Sequence, residues 1–508
     1  MGNTFLGLEL GSTRIKAVLV DDRHRVAAAA SHTWENRFEN GYWTYSLEEA
    51  WAGLRGCVQA LSASAPLSGV RAMGISAMMH GYLVFDSAGE QLVPFRTWRN
   101  TTAGRAAEEL TGLLGFNIPR RWSVAHLYQA MLDKEPHVGD VAFLTTLAGY
   151  VHWRLTGEKV LGVGDASGMF PIDSGRNGYH PGMLARFEKH ARYGLPGVLP
   201  AVRAAGEPAG HLTPGGARLL DPTGNLRAGI PLCPPEGDAG TGMVATNSVT
   251  ARSGNVSAGT SIFAMAVLEK APARALKGID MVATPAGRPV AMVHCNNCTS
   301  DIDAWVGLFR LTLGKFGAQV PEARLYDALY AAALEGEPDC GGLLSYNFVA
   351  AEPMAGVDRG CPLLCRGPGA RLTPENLMRS LAFSAVAGLR LGLDILAREG
   401  IRLDRVTGHG GFFKSGTAGQ RLLAAALDTP VTVMGSAGEG GAFGMALLAA
   451  YMGQKKPGEA LEDYLAKVFA AGMCSRLEPE EQDRQGFARY MERYRAGLAA
   501  VEGAAGAF

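Results

Sequence analysis

The chain has 508 residues, with 48 basic and 48 acidic side chains and 47% hydrophobic residues. This composition is typical of a globular protein with two large domains or about three ordinary ones. The balanced charge offers no basic field for nucleic acid or an acidic membrane surface, and no apolar run of about 18 residues predicts a membrane span. We therefore expect no nucleic-acid or membrane partner, and, since the first residues lack a signal-peptide pattern, a cytoplasmic location.

The chain begins with a predicted β-hairpin. Residues 5–10 and 15–20 read as strands, and Gly11-Ser12-Thr13 reads as the tight turn between them. Downstream, the apolar periodicity predicts helices over residues 46–63, 124–132 and 144–155 and strands over 70–76 and 82–86. Proline and glycine become frequent between residues 196 and 240, which indicates loops and an interdomain region.

A second unit of the same design lies near the middle of the chain. Gly259-Thr260-Ser261 joins a polar strand around residues 255–257 to an apolar strand over 262–267. Helices are then predicted over residues 302–316, 324–334 and 374–398, and a strand over 405–408 leads into Gly410-Gly411. The alternation predicts an α/β protein with two halves of similar architecture, followed from residue 454 by a charged, helical appendage.

The two glycine-hydroxyl turns are candidate anion sites. Each presents backbone N–H groups and hydroxyls, and Arg14 and Lys16 follow the first turn. If the two halves face each other, both turns can hold one polyphosphate. The alternative interpretation is that each is an ordinary hairpin turn.

Two acidic residues are candidates for chemistry. Glu9 lies inside an otherwise apolar strand next to the first turn, where a carboxylate is costly unless it meets a cation, and hydrated Mg²⁺ is the obvious one. Asp238 lies at a glycine-rich corner where a helix begins, and we interpret it as a general base for a substrate hydroxyl. The alternatives are a solvent-facing Glu9 and an Asp238 that only caps its helix.

The cysteines are ambiguous. Cys295 and Cys298 form a C-x-x-C pair and Cys361 and Cys365 a C-x-x-x-C pair, so a zinc site is conceivable. The segments between them lack the turn pattern of a zinc ribbon, and the eight cysteines fit reduced, buried thiols better.

Several motifs together resemble the FGGY carbohydrate kinases. The family's C-terminal signature is similar to residues 408–450, GHGGFFKSGTAGQRLLAAALDTPVTVMGSAGEGGAFGMALLAA. Its two phosphate loops resemble LELGSTRIKAVLV and GNVSAGTS, and two further blocks resemble residues 150–173 and 351–360. The resemblance runs in order from residue 5 to about residue 495.

This resemblance implies two actin-like ATPase domains, built on ribonuclease H-like sheets, around a central cleft. We assign residues 1–247 to the N-terminal domain, 248–455 to the C-terminal domain and 456–508 to a C-terminal helical extension. The implied cofactors are ATP and Mg²⁺, and the implied partners are a sugar and ATP, with a homodimer as the assembly to test.

Carried over to this sequence, the family's site residues fall into three sets. The ATP-binding residues would be Gly11, Ser12, Thr13, Lys16, Gly259, Thr260, Ser261, Gly410, Gly411, Lys414 and Ser415. The sugar site would contain Met79, His80, Trp98, Asn100 and Asp238, with Asp238 as the base. Glu9 and Asp238 would be the metal-binding residues. His80 alone has the further interpretation of a satisfied loop histidine.

Met79-His80-Gly81 resembles a loop of xylulokinases that touches a ketose, which favours a pentulose substrate. Three positions depart from the pattern: Glu9 stands where the family usually has Asp, Asn100 where it often has Asp, and Ala239 where xylulokinases have Asn. Phe383 also replaces a Glu that many relatives carry. A hexulose, glycerol or another polyol therefore stays open as the substrate, as does a nucleotide-binding regulator that has lost turnover.

Overall fold

The computed structural model describes residues 2–434, 440–470 and 474–507. In its first half the strands are β1 (Thr4–Leu10), β2 (Arg14–Asp21), β3 (Val26–Thr33), β4 (Arg37–Glu39), β5 (Tyr42–Thr44), β6 (Val70–Ala77), β7 (Leu83–Phe85), β8 (Phe143–Thr145), β9 (Val160–Gly162), β10 (Ile172–Asp173), β11 (Gly178–Tyr179), β12 (Ala201–Arg203) and β13 (Glu236–Gly237). The helices of this half are α1 (Leu47–Ser64), α2 (Gly104–Leu114), α3 (Ser123–Leu132), α4 (Leu147–Thr156), α5 (Val163–Ala166), α6 (Pro181–Ala191), α7 (Leu195–Val198), α8 (Pro214–Leu220) and α9 (Asp238–Ala245).

The second half continues the alternation of strands and helices. Its strands are β14 (Ser253–Ala258), β15 (Ile262–Val267), β16 (Asp280–Ala283), β17 (Pro289–Cys295), β18 (Leu343–Tyr346), β19 (Leu363–Arg366), β20 (Arg405–His409), β21 (Val431–Met434) and β22 (Cys474–Leu477). Its helices are α10 (Ser300–Lys315), α11 (Glu322–Glu335), α12 (Pro374–Arg398), α13 (Ala418–Leu427), α14 (Gly440–Gln454), α15 (Leu461–Phe469), α16 (Glu481–Ala496) and α17 (Leu498–Ala505).

The two halves contain sheets of matching order. The first sheet runs β13-β6-β1-β2-β3, and the second runs β16-β17-β15-β14-β20-β21-β22. In both sheets, the first strand of a hairpin (β1–β2 or β14–β15) pairs in parallel with a strand from later in the same half, β6 or β20. That strand pairs in parallel with one further strand, β13 or β21. Both predicted hairpins are confirmed. The predicted α/β fold of two similar halves is therefore present, as the actin-like architecture requires.

The helix starts that the sequence indicated are present for a local reason. The Ser46 side chain accepts a hydrogen bond from the Glu49 N–H at the start of α1. Thr373 does the same for the Asn376 N–H at the start of α12, with Pro374 in the first turn. A side-chain oxygen there satisfies an N–H group that has no partner within the helix.

Helix α14 joins the two halves. Although it directly follows β21 of the second sheet in the sequence, its apolar residues pack in one core with Phe5, Val18 and Val20 of the first sheet. A Cβ at Gly7 of β1 would lie 2.0 Å from the Ala442 carbonyl oxygen, so only glycine permits this approach. The carboxyl end of β1 therefore meets the first turn of α14.

Helix α12 is a core helix. It is long and apolar enough to cross a membrane by length and composition, yet 67% of its most apolar window is buried inside the protein. Its buried residues belong to the core of the second half, against which α11 and α13 also pack. Its apolar character is explained by this burial.

The tail contains helices, as the sequence predicted, but it also adds a strand and packs into the second half. Strand β22 pairs antiparallel with β21 and extends the second sheet. Helix α16 buries Phe487, Tyr490 and Tyr494 in the core of the second half. The burial of α16 was not predicted because its apolar stripe is narrow and most of its residues are charged or polar. The strand β22 was not predicted because it pairs with β21, which lies about 40 residues earlier. The domain limits at residues 247 and 455 stay predictions.

Candidate active site

The first glycine-hydroxyl turn is held by aromatic side chains. The Trp34 Nε1–H donates to the Gly11 carbonyl oxygen at 2.7 Å, and the Tyr45 hydroxyl donates to the Ser12 carbonyl oxygen at 2.5 Å. The Trp34 backbone N–H donates to the Thr13 carbonyl oxygen at 3.3 Å. Because the carbonyl groups bond to the protein, the turn can present its hydroxyls to a ligand, and the Thr13 side chain is exposed.

The second turn is held in a similar way. The Cys298 N–H donates to the Thr260 carbonyl oxygen at 2.9 Å, and the Thr299 N–H donates to that of Gly259 at 3.0 Å. Thr260 is exposed and Ser261 partly exposed. In both turns the backbone carbonyl groups form hydrogen bonds within the protein, which is what an anion site at each turn requires.

Cys298 is a buried free cysteine, and the described residues contain no group of three or more His, Cys, Asp or Glu suited to a metal ion.

The Gly410-Gly411 pair lies at the end of β20, directly beside the second turn. Gly410 has φ of 108°, and a Cβ there would lie 2.3 Å from the Ala258 carbonyl oxygen, so this position requires glycine. Among the described residues, a Cβ at Gly411 would meet nothing within 4 Å. Lys414 is exposed and Ser415 partly exposed one turn later. Residues 435–439 of the C-terminal signature lie outside the described residues.

Asp238 is the first residue of α9, at the point where β13 ends. Its Oδ1 accepts hydrogen bonds from the Ala239 N–H at 2.9 Å and from the Met79 N–H at 3.4 Å. Burial raises the pKa of Asp238 to about 6, although these two bonds favour the charged form. The residue remains partly exposed, so a ligand can reach it. A carboxylate with a pKa near neutrality is suited to general-base chemistry.

Glu9 lies near Asp238 at the end of β1. Its Oε2 accepts a hydrogen bond from the Ala442 N–H at 3.2 Å, in the first turn of α14. Burial raises the pKa of Glu9 to about 7, with Lys16 opposing the shift and the charge of Asp238 adding to it. Lys16 is the cross-strand partner of Glu9 in the hairpin. Glu9 is thus a partly buried carboxyl group with a helix N-terminus and a lysine beside it, and not a solvent-facing strand residue.

The histidine of the predicted sugar loop has a defined tautomer. The His80 ring is buried, with Nδ1 3.2 Å from the Gly168 carbonyl oxygen. A carbonyl oxygen only accepts, so Nδ1 carries the proton and Nε2 is an acceptor. Burial, together with the nearby Arg121 charge, lowers the pKa of His80 to about 3. His80 is therefore neutral at physiological pH. Met79, its neighbour, is buried and contacts Asp238 through its backbone.

Trp98 and Asn100 have different environments. Trp98 is 36% exposed, and its Nε1–H donates to the Ser12 Oγ at 3.2 Å. Asn100 is buried, and its amide nitrogen donates to the Trp43 and Thr97 carbonyl oxygens at 2.8 and 3.0 Å. Its Oδ1 accepts from the Trp43 N–H at 2.8 Å. These bonds make Asn100 an anchor of its loop, and its contact with the sugar stays a prediction.

Two further carboxyl groups lie beside Asp238 and were not predicted from the sequence. Asp165 accepts a hydrogen bond from the Thr146 hydroxyl at 2.6 Å, and its Oδ1 is buried without a hydrogen-bond partner among the described residues. Glu236 accepts from the Asp165 N–H at 2.9 Å. Burial raises the pKa of Asp165 to about 7 and that of Glu236 to about 8. The sequence signal for Glu236 was the Glu-Gly-Asp run after two prolines. It places Glu236 on the short strand β13 and Asp238 directly after that strand.

These contacts join the predicted residues into two groups. The first contains Glu9, Lys16, Asp238, Met79 and His80, with the first turn connected to Trp98. The second contains the turn at Gly259 and the glycine pair at Gly410. In the first group Asp238 can act as a base that deprotonates a hydroxyl. The hydroxyl-bearing turns of both groups can hold phosphate.

The chain matches one known family over most of its length. Residues 4–244 match the N-terminal domain, and residues 254–453 the C-terminal domain, of the FGGY family of carbohydrate kinases. The xylulose kinase of Escherichia coli (strain K12) is 25% identical over 284 residues, which is 52% of this chain and 54% of that protein. The aligned part of the chain thus spans about half the length of this curated relative.

Solved structures show the same fold. The xylulose kinase from Rhodospirillum rubrum superposes with a TM-score of 0.81 at 18% identity, covering 99% of this chain and 100% of that one. The gluconate kinase from Lactobacillus acidophilus also gives a TM-score of 0.81, at 15% identity and 99% coverage of both chains. The two domain matches together cover most of the chain, and the solved structures share its fold. The chain belongs to the FGGY family of carbohydrate kinases.

Proposed function

We propose that the protein is an ATP-dependent sugar kinase that transfers the γ-phosphate to a primary hydroxyl of a ketose. The observation that carries this proposal is the environment of Asp238, a partly exposed carboxylate with a pKa of about 6 beside the Met79-His80 loop. Asp238 would accept the proton of the sugar hydroxyl as its oxygen attacks the phosphorus in line.

ATP would occupy the space between the two groups of site residues. The hydroxyls of Ser12, Thr13, Thr260 and Ser261 would hold the terminal phosphates, and positive charge from Lys16 would offset theirs. The Gly410-Gly411 backbone would lie against the adenosine and α-phosphate, with Lys414 and Ser415 nearby. The open space around Gly411 supports this close approach.

The carboxylates fit a magnesium ion that arrives with the nucleotide. Mg²⁺ keeps several water ligands and usually binds through one or two carboxylates and substrate phosphates. Glu9 and Asp238 provide two carboxyl groups close enough that the charge of Asp238 raises the pKa of Glu9. The ion would neutralise charge that develops on the transferring phosphate. Glu9 would hold the ion directly or through a water molecule.

We favour a pentulose as the sugar. The neutral His80 offers an acceptor at Nε2 for one sugar hydroxyl, and the exposed face of Trp98 offers an apolar surface for the carbon chain. Ala239 lacks the amide that xylulokinases carry after the base, so the preferred stereochemistry would differ from that of D-xylulose. We expect the protein to work in the cytoplasm, where ATP is available, and a homodimer stays a prediction.

The decisive experiment is a coupled ADP-release assay with Mg-ATP over a panel of pentuloses, hexuloses, aldonates, glycerol and other polyols. We expect one or two pentuloses to lead the panel. A hexulose, an aldonate or glycerol in first place would overturn the pentulose assignment and leave the kinase assignment intact. Nucleotide binding with no sugar-dependent ADP release on any compound would instead favour a regulator.

A further inference from the structure

Trp98 projects from a loop that is fixed on both sides of it. The Thr97 N–H donates to the Trp43 carbonyl oxygen at 3.1 Å, and the Asn100 amide bonds to the backbone of Trp43. The Arg99 guanidinium lies 4.2 Å from the centre of the Trp43 ring. Strand β5, which contains Trp43, thus anchors the residues around Trp98, while the Trp98 indole remains 36% exposed.

The same loop borders the predicted sugar site. The backbone groups of Arg96 and Tyr82 exchange two hydrogen bonds, of 2.7 and 3.1 Å, just after His80 and Gly81. A Cβ at Gly81 would lie 2.7 Å from the Arg96 carbonyl oxygen, which shows how closely the two segments pack. The backbone that carries Trp98 is therefore held close to the His80 segment.

The indole of Trp98 also reaches the first phosphate turn. Its Nε1–H donates to the Ser12 Oγ at 3.2 Å, although the two residues are 86 positions apart. An indole nitrogen is only a donor, so the Ser12 hydroxyl must accept this bond with a lone pair. The hydroxyl then has its own proton for another acceptor. A phosphate oxygen at the turn would be a strong acceptor for this proton.

We propose that Trp98 couples the two substrate sites, because its ring contacts the sugar while its N–H orients the Ser12 hydroxyl toward the terminal phosphate. A sugar against the ring fixes the indole, and a fixed indole keeps the Ser12 proton directed at the nucleotide. Consecutive hydrogen bonds also polarise and strengthen one another. Sugar binding would thereby tighten nucleotide binding, and by linkage the nucleotide would tighten sugar binding equally. This inference depends on the proposed function.

A double-mutant cycle tests the coupling. Trp98→Phe keeps an aromatic ring and removes the N–H, and Ser12→Ala removes the acceptor. The Kd of a non-hydrolysable ATP analogue with Mg²⁺ is measured by calorimetry for the wild type, both single variants and the double variant. Each measurement is made with and without the leading pentulose of the substrate panel. Thermal melts confirm that all variants are folded.

We expect the pentulose to lower the Kd of the analogue in the wild type by about fivefold or more, the lower end of typical coupling between sites. Trp98→Phe should abolish this enhancement, and in the Ser12→Ala background the same change should have no further effect. Tyr45→Phe is the matched control, because it removes the other side-chain bond to Ser12 without touching the sugar surface. It should weaken analogue binding equally with and without pentulose.

The outcomes are separable. If the effects of Trp98→Phe and Ser12→Ala are additive, or if Trp98→Phe keeps the full enhancement, the coupling role is refuted while sugar phosphorylation stands. If Tyr45→Phe removes the enhancement as Trp98→Phe does, general distortion of the turn explains the result and the coupling role is also refuted. If the wild type releases no ADP with any sugar, the proposed function itself is refuted.

Discussion

The carboxylate of Glu9 accepts a hydrogen bond from the backbone N–H of Ala442, 3.2 Å away and 433 residues later in the chain. This contact joins the end of the first strand to the first turn of α14, where a negative charge is favourable. An aspartate at position 9 has one methylene less with which to reach Ala442. The glutamate at position 9 thus has a structural partner as well as a proposed metal.

Glu9→Gln should raise the Mg²⁺ concentration needed for half-maximal rate, whereas Glu9→Asp should remain active with a water bridging the gap. The wild type should also need more Mg²⁺ at pH 6 than at pH 8, since a proton competes below the pKa of about 7. This pH dependence should become weaker in Glu9→Gln, which retains only the contribution of Asp238. Magnesium titrations of the rate at both pH values measure it. Identical titrations for the wild type and Glu9→Gln would remove Glu9 from the metal site.

Asp238→Asn should abolish phosphoryl transfer and leave ATP affinity almost unchanged, because the base acts on the sugar hydroxyl and Glu9 would still hold the magnesium ion of the nucleotide. A loss of about 10² to 10⁴ in kcat is typical when a general base is removed. In the wild type, kcat should fall as the pH drops through about 6, because protonated Asp238 cannot accept a proton. Steady-state kinetics and analogue binding test both points. Turnover retained in Asp238→Asn would contradict the assignment.

His80→Ala should lower kcat/KM for the best sugar and leave the apparent ATP affinity unchanged. The reason is that His80 Nδ1 is bound to Gly168, so Nε2 would be the nitrogen that accepts a hydrogen bond from the sugar. Since the pKa of His80 is about 3, its protonation should not contribute to the rate profile between pH 5 and 8. Kinetics over that range measure it. Unchanged sugar kinetics in the variant would make His80 a structural residue of its loop.

Gly410→Ala and Gly411→Ala form a matched pair that separates folding from nucleotide contact. Gly410→Ala should lower the melting temperature, because its positive φ and the Ala258 carbonyl oxygen both oppose a Cβ. Gly411→Ala should preserve the melting temperature and raise KM for ATP, since a Cβ there meets only the proposed nucleotide. Thermal melts and ATP kinetics distinguish the two. If Gly411→Ala leaves ATP kinetics unchanged, the nucleotide does not lie against it.

Closure of the two halves is expected when both substrates bind, because the site must exclude water and still admit a sugar. Small-angle scattering should give a smaller radius of gyration with ATP analogue and pentulose together than with neither. Samples with one ligand alone serve as controls. An identical radius in all states would indicate a rigid cleft.

Much of the local structure was predictable because its causes are local. The Gly11–Thr13 turn between two apolar strands specifies a hairpin, and Ser46 and Thr373 satisfy N–H groups within three residues of themselves. The position of Asp238 at the start of a helix followed from the same kind of reasoning, and α9 begins at that residue.

The environment of each site residue was decided by the tertiary structure. Asn100 is a loop anchor because Trp43, far away in the sequence, occupies its amide, and Glu9 meets Ala442 only because α14 returns to the first sheet. Asp165 and Glu236 join Asp238 because strand β13 and helix α5 meet. The sequence determined which chemical groups were available and how the chain turns near them. Which groups are desolvated, and which partners hold them, depends on contacts across hundreds of residues, and these set the pKa values on which the chemistry depends.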